Sequence, residues 1–449
     1  MGEHVKNGDL IRMTITDFST NGEGIGHADG CTLFVAGALI GDEIEVRITH
    51  MKKTYGYGQI KTLITPSPYR VKPRCPVSTK CGGCTLQNLA YDAQLAFKKN
   101  LVENDLKRLG GLDLPVNDVI GMEAPWHYRN KSQYPVGRDR RGNPIAGFYA
   151  GRSHEIVPMR SCAISAEIDE LIVGKVLAFM KDYDIPPYDE KTGEGLVRHI
   201  LVRKGCVTGE VMACLIVNGR RLPQADKLVE ALKTVPGLVS VCLNVNTRRS
   251  NVILGNEVLP LLGDPFITDY IGDLAFRISP LSFYQINPVQ TKKLYDTVKM
   301  MADLKGYETV LDLYCGIGTI GLYLADRADS VHGVEIVPQA IKDARENAVR
   351  NGVTNASFSV GASEDIFKDL PKADVVILDP PRKGCEESLL HELAAQKPER
   401  IVYVSCNPAT LARDLKVLTA CGYRVDAVQP VDMFPHTTHI ENVVRLSLL

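Results

Sequence analysis

Toward the end of the chain a cysteine stands in Ser405-Cys406-Asn407-Pro408. Asn407 reads as a helix N-cap and Pro408 as the first helical residue, with Leu411, Leu415 and Leu418 on the apolar face that follows. This sets the thiol against the positive end of a helix dipole, which favours a nucleophilic thiolate. Upstream, Asp379-Pro380-Pro381-Arg382-Lys383-Gly384 closes an apolar run. Two consecutive prolines cannot extend a central strand, so the backbone turns out there into a rigid loop. Downstream, Pro435-His436-Thr437-Thr438-His439-Ile440-Glu441 lies between two β-type runs and supplies a general base: Glu441 first, with His436 or His439 as helping or orienting groups. A lone cysteine is more often a packed small hydrophobe and a lone histidine a satisfied polar group. The functional reading rests on these groups taken together and in order.

A second constellation binds a nucleotide. Gly316-Ile317-Gly318-Thr319-Ile320-Gly321 follows the apolar run Thr309–Leu313, and Glu335 ends the next run, nineteen residues beyond Gly316. Glycines let a nucleotide approach the backbone, and an acid at the end of the second strand accepts hydrogen bonds from both ribose hydroxyls. The pattern alone fits NAD as well as S-adenosylmethionine. Two features favour the methyl donor. Asp312, four residues before the first glycine, is placed to hold the cationic amino group of a methionine moiety. The later strand ends, with Asp379 and Cys406, carry groups that have no role in hydride transfer.

In an open α/β sheet, ligands gather at the carboxyl ends of the strands. A thiolate, a rigid Asp-Pro-Pro loop that cradles the edge of a nucleobase, and a methyl donor in that place imply one chemistry. C5 of uracil is a poor nucleophile until a thiolate adds at C6; the resulting enolate takes the methyl group at C5, and a base then removes the C5 proton. A separate group, Cys75-x5-Cys81-x2-Cys84, sits in a loop bounded by proline and glycine, with Cys162 further on. Three close thiols and a distant fourth suit an iron–sulfur cluster or a structural zinc, and spacing does not separate the two. The remaining cysteines, such as Cys31, Cys206, Cys214 and Cys421, read as packing residues.

The elements that position these groups fall into three parts with expected limits 1–66, 67–280 and 281–449. The first has short β-type runs (Leu10–Ile15, Leu33–Val35, Glu43–Ile48, Gly58–Ile64) between glycine turns, the densest being Asn21–Gly26, and predicts a small oligonucleotide-binding barrel. The second opens with a helix through Leu95, Leu101, Val102 and Leu106 and continues with strands His199–Val202, Val211–Val217 and Val239–Val245, a central α+β region. In the last, Asn287-Pro288 starts a helix through Leu294, Val298 and Met301. Apolar strands (Thr309–Leu313, Ser330–Glu335, Asp374–Leu378, Ile401–Ser405) then alternate with amphipathic helices, so the expectation is a mostly parallel, doubly wound α/β sheet.

Of 449 residues 45% are apolar, net charge is −1, and there are twelve cysteines. No apolar run is long enough for a membrane span and the start has no signal-peptide pattern, so the expectation is a cytoplasmic protein without a membrane. The net charge argues against a generally basic nucleic-acid coat, but the distribution is uneven. From Arg47 to Tyr91 there is no Asp or Glu, against Arg47, Lys52, Lys53, Lys61, Arg70, Lys72, Arg74 and Lys80. Arg129, Lys131, Arg138, Arg140, Arg141, Arg152 and Arg160 follow, and a polyanion bound along the N-terminal half accounts for both stretches.

Taken together, these motifs resemble the 23S ribosomal RNA (uracil-5-)-methyltransferases that carry an iron–sulfur cluster, over nearly the whole length. The resemblance implies a TRAM domain at the N-terminus and a Rossmann-like class I methyltransferase domain at the C-terminus. It implies a [4Fe-4S] cluster, rather than zinc, on Cys75, Cys81, Cys84 and Cys162. The run Ser282 to Asn287 matches a family motif whose glutamine, here Gln285, lies in the donor and substrate pocket. Donor-site residues map onto Tyr314, Glu335 and Asp379, the nucleophile onto Cys406 and the proton-abstracting acid onto Glu441. It also favours 23S ribosomal RNA as the partner, with no protein partner implied, because the related transfer-RNA uracil methyltransferases typically lack both barrel and cluster. A transfer-RNA enzyme, an NAD-dependent oxidoreductase, and a non-catalytic RNA-binding or iron–sulfur sensor protein are the competing readings.

Overall fold

A computed structural model describes residues 5–151, 153–159 and 161–449. Arg152 and Arg160 of the second basic stretch lie outside the described residues.

The N-terminal part is a barrel-like sheet of β1 (Leu10–Thr14), β2 (Asp17–Phe18), β3 (Gly24–Ala28), β4 (Cys31–Val35), β5 (Glu43–Met51) and β6 (Tyr55–Thr65), in the order β1-β5-β6-β4-β3-β2. Alternate residues such as Leu33, Val35, Ile44, Val46 and Ile48 fill its interior. The expected glycine turn Asn21–Gly26 is half strand. Gly24 lies in β3, where a Cβ would meet the Ala38 carbonyl oxygen at 2.7 Å, so this glycine serves close approach rather than turning. Not every basic residue faces solvent either. Arg70 is paired with the fully buried Asp42 and donates to the Gly37 carbonyl, closing the barrel.

The helix α1 (Tyr91–Asp105), continued by a π turn Leu106–Gly110, differs from its expectation in the face it buries. The buried positions are Gln94, Lys98 and Val102, not a continuous apolar stripe, because this face docks on polar groups near the C-terminus. Further along, Val102 and Leu106 join the core that also holds Leu411 and Leu415.

The central sheet contains β7 (Lys131–Arg138), β8 (Pro144–Tyr149), β9 (Ile156–Pro158), β10 (Val197–Lys204), β11 (Val211–Val217), β12 (Leu238–Val245) and β13 (Glu257–Leu262), with helices α2 (Ile168–Asp182) and α3 (Ala225–Leu232) on one face. Every residue of β11 is buried. Ala213, Leu215 and Val217 point toward α2 and α3. Met212, Cys214 and Ile216 point the other way and share a core with the C-terminal part, bridged by the hairpin β14 (Ile267–Ile271) and β15 (Leu274–Ile278). The two parts are therefore joined through a common apolar core.

The C-terminal part is a doubly wound sheet. Its helices are α4 (Pro288–Ala302), α5 (Thr319–Leu324), α6 (Pro338–Arg350), α7 (Ser363–Ile366), α8 (Glu387–Gln396) and α9 (Pro408–Ala420). Its strands are β16 (Thr309–Leu313), β17 (Ser330–Glu335), β18 (Ala356–Val360), β19 (Val375–Leu378), β20 (Arg400–Ser405), β21 (Tyr423–Val431) and β22 (Glu441–Leu448), in the order β18-β17-β16-β19-β20-β22-β21. All pairings are parallel except those of β22, which runs antiparallel to both β20 and β21. β19 and β20 are buried throughout, as helices on both faces require. Both expected caps form: the Asn287 side chain accepts from Gln290 N–H at 3.3 Å and Asn407 from Ala409 N–H at 3.1 Å, each with proline next.

Candidate active site

A cavity of about 600 Å³ opens at the carboxyl ends of β16, β17, β19 and β20. From those ends come Asp312, Tyr314 and Gly316, then Glu335, Asp379 and Cys406. Gln285 from the approach to α4, and His439 and Glu441 from the approach to β22, complete the wall. Cys406 and Glu441 meet because β22 lies beside β20, which brings the start of one strand to the end of the other. Gly318 and His436 do not line the cavity. Gly318 sits at φ +80° behind the turn, where a Cβ would press on the Phe358 ring at 3.0 Å.

The glycine turn is braced by the acids that flank it. Asp312 is fully buried; its Oδ2 accepts from Gly321 N–H at 2.8 Å, while its Oδ1 is buried and without a hydrogen-bond partner. Glu335 accepts from Gly316 N–H at 3.3 Å and from Val337 N–H at 2.9 Å. Tyr314 holds a left-handed backbone (φ +64°), a strained conformation for a bulky residue. Gln285 is fixed through its main chain: Asn130 donates its Nδ2 to the Gln285 carbonyl at 2.9 Å and its backbone N–H to that of Ile286 at 2.9 Å.

The electrostatics depart from the sequence expectation. Burial, followed by Glu441 and Asp379, pushes the Cys406 thiol up to about 11, against the lowering effect of Arg382. Burial thus opposes the thiolate that the helix N-terminus favours. Burial also raises Asp379 to about 7 and Asp312 to about 7, the latter helped by Asp379 and Glu335. Glu441 lies well above the usual carboxylate range from burial and the neighbouring Asp379, with Arg382 opposing. Arg382 thus stabilises the charged forms of both Cys406 and Glu441, a role that its place after the two prolines leaves unassigned in the sequence. Phe283, 69% exposed at the rim, is a wall residue to which the motif around Gln285 gave no role, and Ser363, whose buried Oγ lacks a partner, is a wall residue outside the motifs that carry the sequence reading.

The other cysteines gather at a second cavity of about 600 Å³, lined by Cys75, Cys81, Cys84 and Cys162 together with Arg129 and Tyr149. Burial raises the thiols of Cys75, Cys81 and Cys84, that of Cys84 to about 12, and Cys162 raises each of them further. Among the described residues, no group of three or more His, Cys, Asp or Glu side chains is arranged to hold a metal ion.

Residues 270–448 match the family described as tRNA (Uracil-5-)-methyltransferase, and residues 4–61 match the TRAM domain. An RNA methyltransferase of Halalkalibacterium halodurans is 48% identical, covering 99% of this chain and 98% of its own. One from Clostridium tetani is 47% identical over 99% and 97%. The chain belongs to the RNA uracil-5 methyltransferase family. The solved structure of a tRNA (uracil-54, C5)-methyltransferase from Pyrococcus abyssi with S-adenosyl-L-homocysteine has a TM-score of 0.79 and 32% identity, covering 97% of this chain and 100% of that one. The C-terminal part is accordingly a class I methyltransferase domain that uses S-adenosylmethionine, preceded by an RNA-binding TRAM domain. No helix among the described residues is long and apolar enough to cross a membrane. Because a transfer-RNA enzyme matches nearly the full length, the N-terminal barrel does not by itself select ribosomal RNA.

Proposed function

We propose that this enzyme methylates C5 of a uridine in 23S ribosomal RNA, in the cytoplasm, through a covalent adduct between Cys406 and C6. The observation that carries the reading is one cavity holding a thiol (Cys406), a buried and a half-buried acid that face it electrostatically (Glu441 and Asp379) and the glycine turn with Asp312 and Glu335. S-adenosylmethionine supplies an electrophilic methyl group there. Glu335 would accept from its ribose hydroxyls, while Gly316 and the turn around Gly318 would admit its backbone approach, with Tyr314 beside them. The unpartnered Oδ1 of Asp312 fits a cationic amino group, which would also draw this acid into its carboxylate form.

The base must leave its stack to reach the cavity. Gln285 and Asp379 then read its polar edge; near pH 7 Asp379 can donate or accept. Cys406 gives its proton to solvent and adds to C6 as thiolate, moving the C5–C6 π electrons onto the C4 oxygen as an enolate. The C4 carbonyl re-forms as C5 takes the methyl group, and the pair of the broken S–CH₃ bond stays on sulfur in the departing S-adenosylhomocysteine. Glu441, as carboxylate, removes the C5 proton; the double bond re-forms and Cys406 departs as thiolate. Arg382 favours the charged forms that both of these steps require.

Cys75, Cys81, Cys84 and Cys162 would hold a [4Fe-4S] cluster. Their shared place on the wall of one cavity supports the reading. It would tie loops together, and no step of the reaction passes through it. Transfer RNA is the second reading, favoured by the full-length match to a transfer-RNA enzyme. The test is methyl transfer from labelled donor to unmodified ribosomal and transfer RNA, wild type beside Cys406→Ala. Label on C5 of a ribosomal uridine, lost in the variant, is expected. Label confined to transfer RNA would overturn the substrate and keep the chemistry.

A further inference from the structure

His436 lies outside the catalytic cavity, 3% exposed, yet three separate parts of the chain are fastened to it. Its ring stacks on Trp126 with centroids 3.8 Å apart, and the Arg74 guanidinium covers the Trp126 ring from 5.4 Å. Its Nε2 lies 2.9 Å from the Pro125 carbonyl and its Nδ1 3.2 Å from the Gln94 amide nitrogen. These partners select one neutral tautomer, with the proton on Nε2. Gln94 also accepts from the His436 N–H at 2.9 Å. The His436 carbonyl accepts from two consecutive N–H groups, Thr85 and Leu86, each at 3.0 Å, directly after Cys84.

The backbone at His436 is left-handed (φ +67°), a conformation that persists only when the surroundings hold it. The same segment is held again at Asp432, which accepts from the fully buried Lys98 at 2.5 Å and from Tyr91 at 2.8 Å. Between these two anchors Phe434 reaches the catalytic cavity, and beyond them come His439 and Glu441. The cysteine loop on one side and the base on the other thus share a single short span of chain.

We propose that His436 is a positioning residue, locking the span 432–441 to the cysteine loop so that order around Cys75, Cys81 and Cys84 sets the placement of Glu441. This rests on the covalent reading above. Glu441 acts only in the elimination step, so a misplaced Glu441 should leave addition and methyl transfer working while release of the RNA slows.

The first arm compares full-length wild type, His436→Asn, Trp126→Leu and Trp126→Phe on uridine-containing RNA, scoring covalent enzyme–RNA adduct against released methylated RNA. Asparagine tolerates the left-handed backbone, so the fold is kept. Expected is accumulation of adduct in His436→Asn, with product release slowed by about a hundredfold, a smaller accumulation in Trp126→Leu, and a return toward wild type in Trp126→Phe. Equal losses of adduct and product, or no change in either, would overturn the positioning role. The second arm reads amide exchange in Cys81→Ser without RNA. Faster exchange over 432–441 as well as 75–86, with β10 to β12 unchanged, is expected. Acceleration confined to 75–86 contradicts the coupling. A wild type that turns over with no adduct at all would instead remove the covalent reading, and the exchange arm would still decide the coupling.

Discussion

The two cavities have the same volume, about 600 Å³, and both hold thiols that burial has raised, Cys84 to about 12 and Cys406 to about 11. They differ in what stands beside the sulfur. At the cysteine cavity the neighbours that raise each thiol, after burial, are other thiols, so charge on one opposes charge on the next. At the catalytic cavity the neighbours are carboxyl groups, Asp379 just past the end of β19 and Glu441 at the start of the antiparallel β22, with Arg382 as a lowering influence. Under the proposed function the first would hold the cluster. In the second, burial holds the protons on Cys406, Asp379 and Glu441, and the proposed reaction requires Cys406 and Glu441 to give theirs up.

The sharpest way to break this contrast is at Cys406. Cys406→Ala should lower methyl transfer by on the order of 10⁴-fold or more while donor affinity, read by calorimetry, stays within about twofold. Next, Glu441→Gln should slow turnover by about 10²- to 10⁴-fold and trap the enzyme on its RNA, visible as a shifted band on a denaturing gel. Replacing Cys81 by Ser should act in the opposite sense: iron and sulfide content fall, RNA affinity drops by about tenfold, and donor affinity is unchanged. A parallel loss of donor binding would merge the two sites into one.

Two smaller effects concern protons. Asp312 is raised to about 7, and a cationic amino group favours its carboxylate form. Donor affinity should therefore weaken by up to about tenfold per unit as pH falls below about 7, with proton release measurable by titration in buffers of different ionisation enthalpy. The same shift bears on stability. The folded-state value lies above the unfolded one, so ionising Asp312 opposes folding; the protein loses stability as pH rises from the ordinary aspartate range to about 7. Asp312→Asn should raise the melting temperature of the donor-free protein at pH 8 by a few degrees, and weaken the donor.

The sequence made the C-terminal sheet legible because its strands are apolar runs buried on both faces. Thr309–Leu313 and Ser330–Glu335 form strands with those limits, and both proline-led helices begin where their asparagine caps stand. β18 was silent because Phe358 is its one buried residue. The buried face of α1 was misjudged because Gln94 and Lys98 are polar. Their burial is balanced by His436 and Asp432, more than three hundred residues away in the chain. The basic stretch overstated the free charge, since Arg70 is spent on Asp42. At Cys406 the helix cap is local and can be read, whereas the burial that raises the thiol, and after it the approach of Glu441 and Asp379, come only through the strand order.

The measurement closest to the central claim uses RNA carrying 5-fluorouridine at the target, with labelled S-adenosylmethionine and the wild-type enzyme. Fluorine at C5 cannot be removed as a proton, so addition and methyl transfer proceed and elimination stops. The account predicts a stable enzyme–RNA adduct that carries the label and maps to the peptide containing Cys406. Methyl transfer to uridine RNA without any such adduct, or an adduct on another residue, would contradict it.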